Sequence, residues 1–143
     1  MARATKVTDK APESGPRAQG LLTRVTDRLT RSEEELEARE LQEDSDRLGG
    51  TPIAGVGDRQ LASVCGTVRS VTLRPRANVP ALVAELYDGS RSLNVVWLGR
   101  RRIAGIAPGT YLTVRGRVTY HTGTPTIFNP AYEIITGRGH AQR

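Results

Sequence analysis

From Leu61 to Ile135 apolar and polar residues alternate in short runs, whereas before Gly50 apolar residues recur every three or four positions. Alternation by two sorts side chains to opposite faces of a strand, and a period near 3.6 draws a stripe along a helix. The alternating runs predict five strands, over residues 61–73, 81–88, 90–98, 111–120 and 126–135, with Tyr87-Asp88-Gly89-Ser90 as the turn of a tight hairpin. Upstream, Leu21, Leu22, Val25 and Leu29 share a helical face. After a break, Ser32-Glu33-Glu34-Glu35 has the S-x-x-E form of a capping box, with acids in the first turn where the helix dipole favours them. Leu36, Leu41 and Leu48 continue a thin apolar stripe that Gly49-Gly50 ends. Residues 100–107 have helical composition and stop at Pro108-Gly109, which predicts a short helix between the third and fourth strands.

Three strands, a short helix and two more strands is the order of an all-β, five-stranded OB-fold Greek-key barrel, here carrying an N-terminal helical extension. The expected organisation is a disordered lead over 1–19 and a helical extension over 20–50. A linker over 51–60 follows, marked by Thr51-Pro52, Gly55 and Gly57. The OB-fold domain covers 61–136, and a disordered tail 137–143. The helical stripe fits weak docking on the following domain, docking on another protein or another copy of the chain, or screening of the domain's own basic surface.

Composition narrows the function classes. With 143 residues and 37% apolar content, the chain supports one modest core. It has no apolar run long enough to span a bilayer and no continuous apolar centre near its N-terminus, so the expectation is a soluble cytoplasmic protein. Cys65 is the single cysteine and reads as a small apolar strand residue; with only His121 and His140 beside it, no zinc ligand set exists. The net charge of +6 hides an asymmetry. Residues 1–60 carry 10 Lys/Arg and 12 Asp/Glu, whereas 61–143 carry 11 Arg and three acids, Glu85, Asp88 and Glu133. Arginine suits phosphate forks and base stacking, although a GC-rich genome also favours it over lysine. No phosphate-binding G-x-x-x-x-G-K-[ST] loop, Ser/His/Asp set or Cys/His pair is present, so no enzymatic activity, cofactor or metal is expected.

Three stretches, "VCGTVRSVTLRP", "LVAELYDGSRSLNVVWLG" and "IAPGTYLTVRGRVTYHTGTPTIFNPAYEII", carry a resemblance. Over residues 61–135 the chain resembles the nucleic-acid-binding OB-fold group that includes the anticodon-binding domains of tRNA synthetases and the wedge domain of RecG-type branched-DNA helicases. It is closer still to small actinobacterial OB-fold nucleic-acid-binding proteins. The shared positions are Gly66, Asp88-Gly89, Pro108-Gly109, Gly116 and Asn129-Pro130. They specify a fold, since glycine inside a strand marks a bulge or bend that a small barrel needs. The resemblance implies a nucleic-acid partner, single-stranded or branched DNA ahead of RNA, bound with little base specificity. The alternative class is a protein-interaction module whose acidic helical extension and barrel dock a partner.

Binding candidates follow from the strand faces. Arg74 and Arg76 lie between the first two strands, stiffened by Pro75 and Pro80, where OB-folds hold ligands. Arg69 and Asn94 point outward, and Arg91 at the hairpin edge extends the basic stripe. Tyr87, outward from Leu82, Ala84 and Leu86, is a stacking candidate or else a ring that covers the barrel. Arg100, Arg101 and Arg102 form either a phosphate contact, to which at most two contribute because helical neighbours point about 100° apart, or a solvated turn. Tyr120 and His121 offer a ring and a hydrogen-bonding tip. Trp97 shares the more apolar face with Leu93 and Val95, so it reads as core, with base stacking as the alternative.

Overall fold

The computed structural model describes residues 17–136, with side chains from Arg24 onward, Val25 excepted. The tail expected over 137–143 and most of the expected lead lie outside the described residues. The chain divides into two compact units, Met1–Glu33 and Glu34–Arg143.

Helix α1 (Arg17–Arg47) has 31 residues and runs through both units. The expected break before Ser32 is absent, so Ser32 sits inside the helix and caps nothing. No glycine or proline intervenes there to stop the helix, and Thr30 donates its hydroxyl to the Thr26 carbonyl at 2.9 Å within it. Gly49, with φ +73°, follows it, and the Gly50 N–H donates back to the Ser45 carbonyl at 2.8 Å in a Schellman arrangement. Of the expected stripe, only Leu41 is buried; Leu36 and Leu48 are exposed. Leu41 packs with Cys65 and Tyr111 in a small apolar cluster on the outer surface of the sheet.

Six strands follow: β1 (Leu61–Arg76), β2 (Val79–Tyr87), β3 (Ser92–Leu98), β4 (Tyr111–His121), β5 (Thr124–Phe128) and β6 (Ala131–Ile134). Hydrogen bonding runs β1-β2-β3-β5-β4 and returns to β1, so five strands close a ring in an OB-like fold. The β3–β5 pair is parallel and the others antiparallel. β6 adds to β4 beyond β5, pairing Leu112 with Ile134. The sequence pattern merged β5 and β6 into one run. Asn129, at φ +47°, and Pro130 divide it, because neither can continue a regular ladder there.

β1 has 16 residues and serves two partners, β4 through Leu61–Thr67 and β2 through Thr67–Arg76. The change of partner requires a bend, supplied by Gly66 and by a bulge between Val68 and Ser70. A Cβ on Gly66 would lie 2.6 Å from the Tyr87 carbonyl oxygen, so only glycine permits this approach. Inward residues of every ring strand, among them Val64, Leu86, Val95, Val114 and Ile127, fill one core. Trp97 belongs to that core at 5% exposure and meets Tyr132 edge-on, with ring centroids 5.7 Å apart. The stacking alternative for Trp97 is thereby corrected.

Two further expectations change. Residues 51–60 form no loose linker: Ile53 and Val56 are buried in the main core, and Arg59 and Gln60 hydrogen-bond the Val118 backbone. The short helix expected over 100–107 is replaced by turns. Gly105 adopts φ +83°, which interrupts any right-handed helix, and Ile103 and Ile106 are buried one turn apart with the Ile106 N–H donating to the Ile103 carbonyl. Ile103 and Ile106 instead join the main core from these turns.

Removing the Trp97 ring leaves a core void, so Trp97→Ala is expected to lower the unfolding free energy by about 3–5 kcal/mol in urea denaturation. Gly66→Ala is expected to cost about 1–3 kcal/mol by overpacking. Gly55→Ala, whose new Cβ would meet nothing within 4 Å, serves as the neutral control.

Burial pushes the Cys65 thiol up; its hydrogen bond with Thr113 (3.3 Å) opposes this and the charge of Asp88 adds to it. The folded thiol therefore holds its proton more tightly than the unfolded one. Its contribution to stability is complete below the unfolded thiol's pKa and is lost as pH rises towards the folded value. Unfolding measured across the alkaline range is expected to show that decline in wild type and not in Cys65→Ala.

Candidate nucleic-acid interface

The β1–β2 hairpin continues to its tip as regular strand, with Ala77 and Asn78 at φ +48° and +63° forming the two-residue turn. Such a turn matches the twist of the strands it joins. Pro75 pairs with Pro80, a position where neither residue has an N–H to offer. The expected loop around Arg74-Pro75-Arg76 is therefore a stiff ribbon that presents both arginines on its outer face.

Beside it lies a groove of about 460 Å³. Arg74, Pro75 and Arg76 make one wall; Ala81 and Val83 of β2, Asn94 and Val96 of β3, and Thr126 and Phe128 of β5 make the floor. His121, Thr122 and Thr124 of the β4–β5 hairpin make the other wall. The floor follows from alternation, since Leu82, Val95 and Ile127 point into the core from the same three strands. Among the described residues two arginines and no acid line the groove. The Arg76 guanidinium stands 4.9 Å from the centroid of the Phe128 ring, which is 37% exposed. A flat, partly open ring beside a cation offers a stacking surface next to a phosphate-binding charge.

Of the residues singled out from sequence, Arg74, Arg76, Asn94 and His121 meet in this groove. The others are placed elsewhere. Arg69 occupies the β1 bulge with its guanidinium 3.6 Å from the Tyr87 ring centroid. Tyr87 is half-buried against the Leu41 cluster, and its hydroxyl donates to the Gly89 carbonyl at 3.3 Å. Arg91 lies 5.5 Å from the Tyr120 ring centroid and donates to the Gly123 carbonyl at 2.7 Å. Tyr120 packs on the core and donates its hydroxyl to the Val56 carbonyl at 2.6 Å. Arg100, Arg101 and Arg102 are exposed in the β3–β4 connection and do not line the groove. No described residue of the Glu34–Arg47 part of α1 lines it either, since Leu41 holds that part at the Cys65 cluster.

Phe128 was missed because the alternation gave its face but not its neighbours. The available signal was its standing as the sole phenylalanine, directly before Asn129-Pro130. Among the described residues no group of three or more His, Cys, Asp or Glu is placed to hold a metal ion, and no helix is long and apolar enough to cross a membrane.

The fold has solved counterparts. The chain is similar to the HINb domain of p204, with a TM-score of 0.50 and 16% identity over 60% of this chain and 47% of that one. A looser match is RecG, in a structure bound to a three-way DNA junction, with a TM-score of 0.43 and 22% identity over 57% of this chain and 12% of that one. The chain thus spans under half the length of either protein. No protein-family model and no curated protein matches it. The p204 likeness and the closed ring define an OB-like β-sheet protein.

Because Tyr87 packs under the helix, Tyr87→Ala is expected to lower stability by about 1–3 kcal/mol. Amide chemical shifts at Asn94, Thr126 and Phe128 should stay in place; movement there would join Tyr87 to the groove.

Proposed function

We propose that this protein is an OB-fold binding protein for nucleic acid, not an enzyme, and that it holds a single strand in the groove between the β1–β2 and β4–β5 hairpins. Single-stranded or branched DNA is the favoured ligand, read with little base specificity. The observation that carries the reading is the pairing of Arg74 and Arg76 with the open Phe128 ring along a groove whose described lining holds no acid. Arginines on a stiff ribbon meet phosphates with little loss of freedom, and a base can lie on Phe128 beside or in place of the Arg76 guanidinium. Val96 and Val83 supply an apolar floor for the base, and Asn94, Thr124 and His121 add polar groups at the other end.

A second reading has its own support. In the second unit α1 leaves Leu36 exposed, and residues 34–47 carry seven acids against two arginines. That stretch suits a protein partner, and its described residues do not line the groove.

Binding of labelled single-stranded DNA, duplex DNA and RNA of equal length, titrated with salt, tests the proposal. Single-stranded DNA is expected to bind most tightly and with the steepest salt dependence. Arg74→Gln and Arg76→Gln should each flatten the log–log slope by about 0.7. Phe128→Ala should cost about 1–3 kcal/mol with the slope nearly unchanged. Binding that ignores all three substitutions would remove the groove from the function and move the protein-partner reading to first place.

A further inference from the structure

Arg91 was singled out for extending the basic stripe from the hairpin edge, and its exposed guanidinium is engaged by other groups of the chain. Nη2 donates to the Gly123 carbonyl at 2.7 Å, and the group faces the Tyr120 ring at 5.5 Å. Gly123 and Thr122, at φ +78° and +49°, are the turn of the β4–β5 hairpin, and His121, Thr122 and Thr124 around that turn form one wall of the groove. The arginine thus reaches from the β2–β3 turn to the groove wall.

Its backbone end is held as firmly as its tip. Asp88 is 1% exposed, and its Oδ1 accepts the Arg91 N–H at 3.1 Å, the Ser90 N–H at 2.8 Å and the Ser90 hydroxyl at 2.6 Å. Its Oδ2 accepts the Ile53 N–H at 2.8 Å, tying the turn to the buried 3₁₀ segment Ile53–Gly55. From the other side Gly89 abuts α1 so closely that a Cβ would collide with the Ala38 carbonyl. The Tyr120 ring under the guanidinium is likewise fixed, through its hydroxyl to Val56 and its N–H to Asp58 at 3.0 Å.

We propose that Arg91 is a positioning residue: a strut from the β2–β3 turn that holds the β4–β5 hairpin as the second wall of the ligand groove, without touching the ligand itself. This rests on the nucleic-acid reading above for what the groove holds. A two-residue turn at the end of an exposed hairpin has little else to fix its angle, and a charge-assisted hydrogen bond to its carbonyl supplies that. Preorganising the wall spares the ligand the cost of ordering it on binding.

The test uses the full chain with Arg91→Gln, Arg91→Lys and a labelled oligothymidylate. In the free protein, Arg91→Gln is expected to speed amide hydrogen exchange at Thr122, Gly123 and Thr124, and Arg91→Lys, which keeps a donor, to restore part of the protection. Oligothymidylate binding by Arg91→Gln is expected to weaken about tenfold, the order of one hydrogen bond to a charged group. The salt slope should match wild type. In a Thr122→Ala, His121→Ala background the same substitution should cost much less, because the wall through which it acts has lost its contacts.

Unchanged exchange at the turn, together with a slope flattened by about 0.7, would overturn the proposal and make Arg91 a direct phosphate contact. Unchanged exchange with unchanged binding would overturn it also. Should wild-type protein bind no nucleic acid, the functional reading fails, while exchange in the free protein still decides whether Arg91 holds the turn.

Discussion

The whole arrangement depends on β1 hydrogen-bonding to two different strands. Along Leu61–Thr67 it completes β4, and from Thr67 onward it completes β2, so the sheet closes on itself and leaves an interior for the apolar side chains. A strand can change partners this way only by bending hard, and the bend brings its backbone against the Tyr87 carbonyl. Gly66 and the Arg69 bulge meet that demand within a few residues. Everything downstream inherits it: past the bend, the far half of β1 leans out with β2 as the ribbon that carries Arg74 and Arg76.

A second constraint acts at the other side of the groove. Asp88 is a buried carboxylate whose oxygens accept hydrogen bonds from three backbone N–H groups and one hydroxyl. A buried charge is tolerated when such donors converge on it, and losing one would leave the others unpaired. The consequence is that one carboxylate ties the β2–β3 turn, the Ile53 segment and the Arg91 backbone together. The groove therefore has two walls of different origin, a ribbon stiffened by its own turn and paired prolines, and a hairpin steadied from outside by an arginine.

Much of this was legible in the chain. Alternation gave four of the five ring strands to within a few residues, because one face of each must be apolar to fill the core. The inward register of β3 followed from Leu93, Val95 and Trp97 alone. The charge asymmetry marked the C-terminal half, and the outward alternation of β3 and the proline-flanked pair Arg74 and Arg76 gave three of the groove residues. Other features left weaker traces. Ile103 and Ile106 have helical spacing but sit in turns around a left-handed Gly105, and β5 and β6 read as one run until the backbone at Asn129 divides them.

What sequence alone determined was therefore one-dimensional: which residues face in, where the chain must turn, and where positive charge accumulates. Each depends only on near neighbours and on the demand that apolar faces be buried. What tertiary structure decided was which outward residues share a surface. Tyr87 and Phe128 are both outward aromatic rings, yet one lies half-buried against the Leu41 cluster and the other stands open beside Arg76. Arg69, Arg76 and Arg91 are all arginines beside a ring, yet only Arg76 lines the groove, while Arg91 reaches across to hold its wall. Pairing between strands far apart in the chain, set by closure of the ring, makes those distinctions, and no local pattern encodes them.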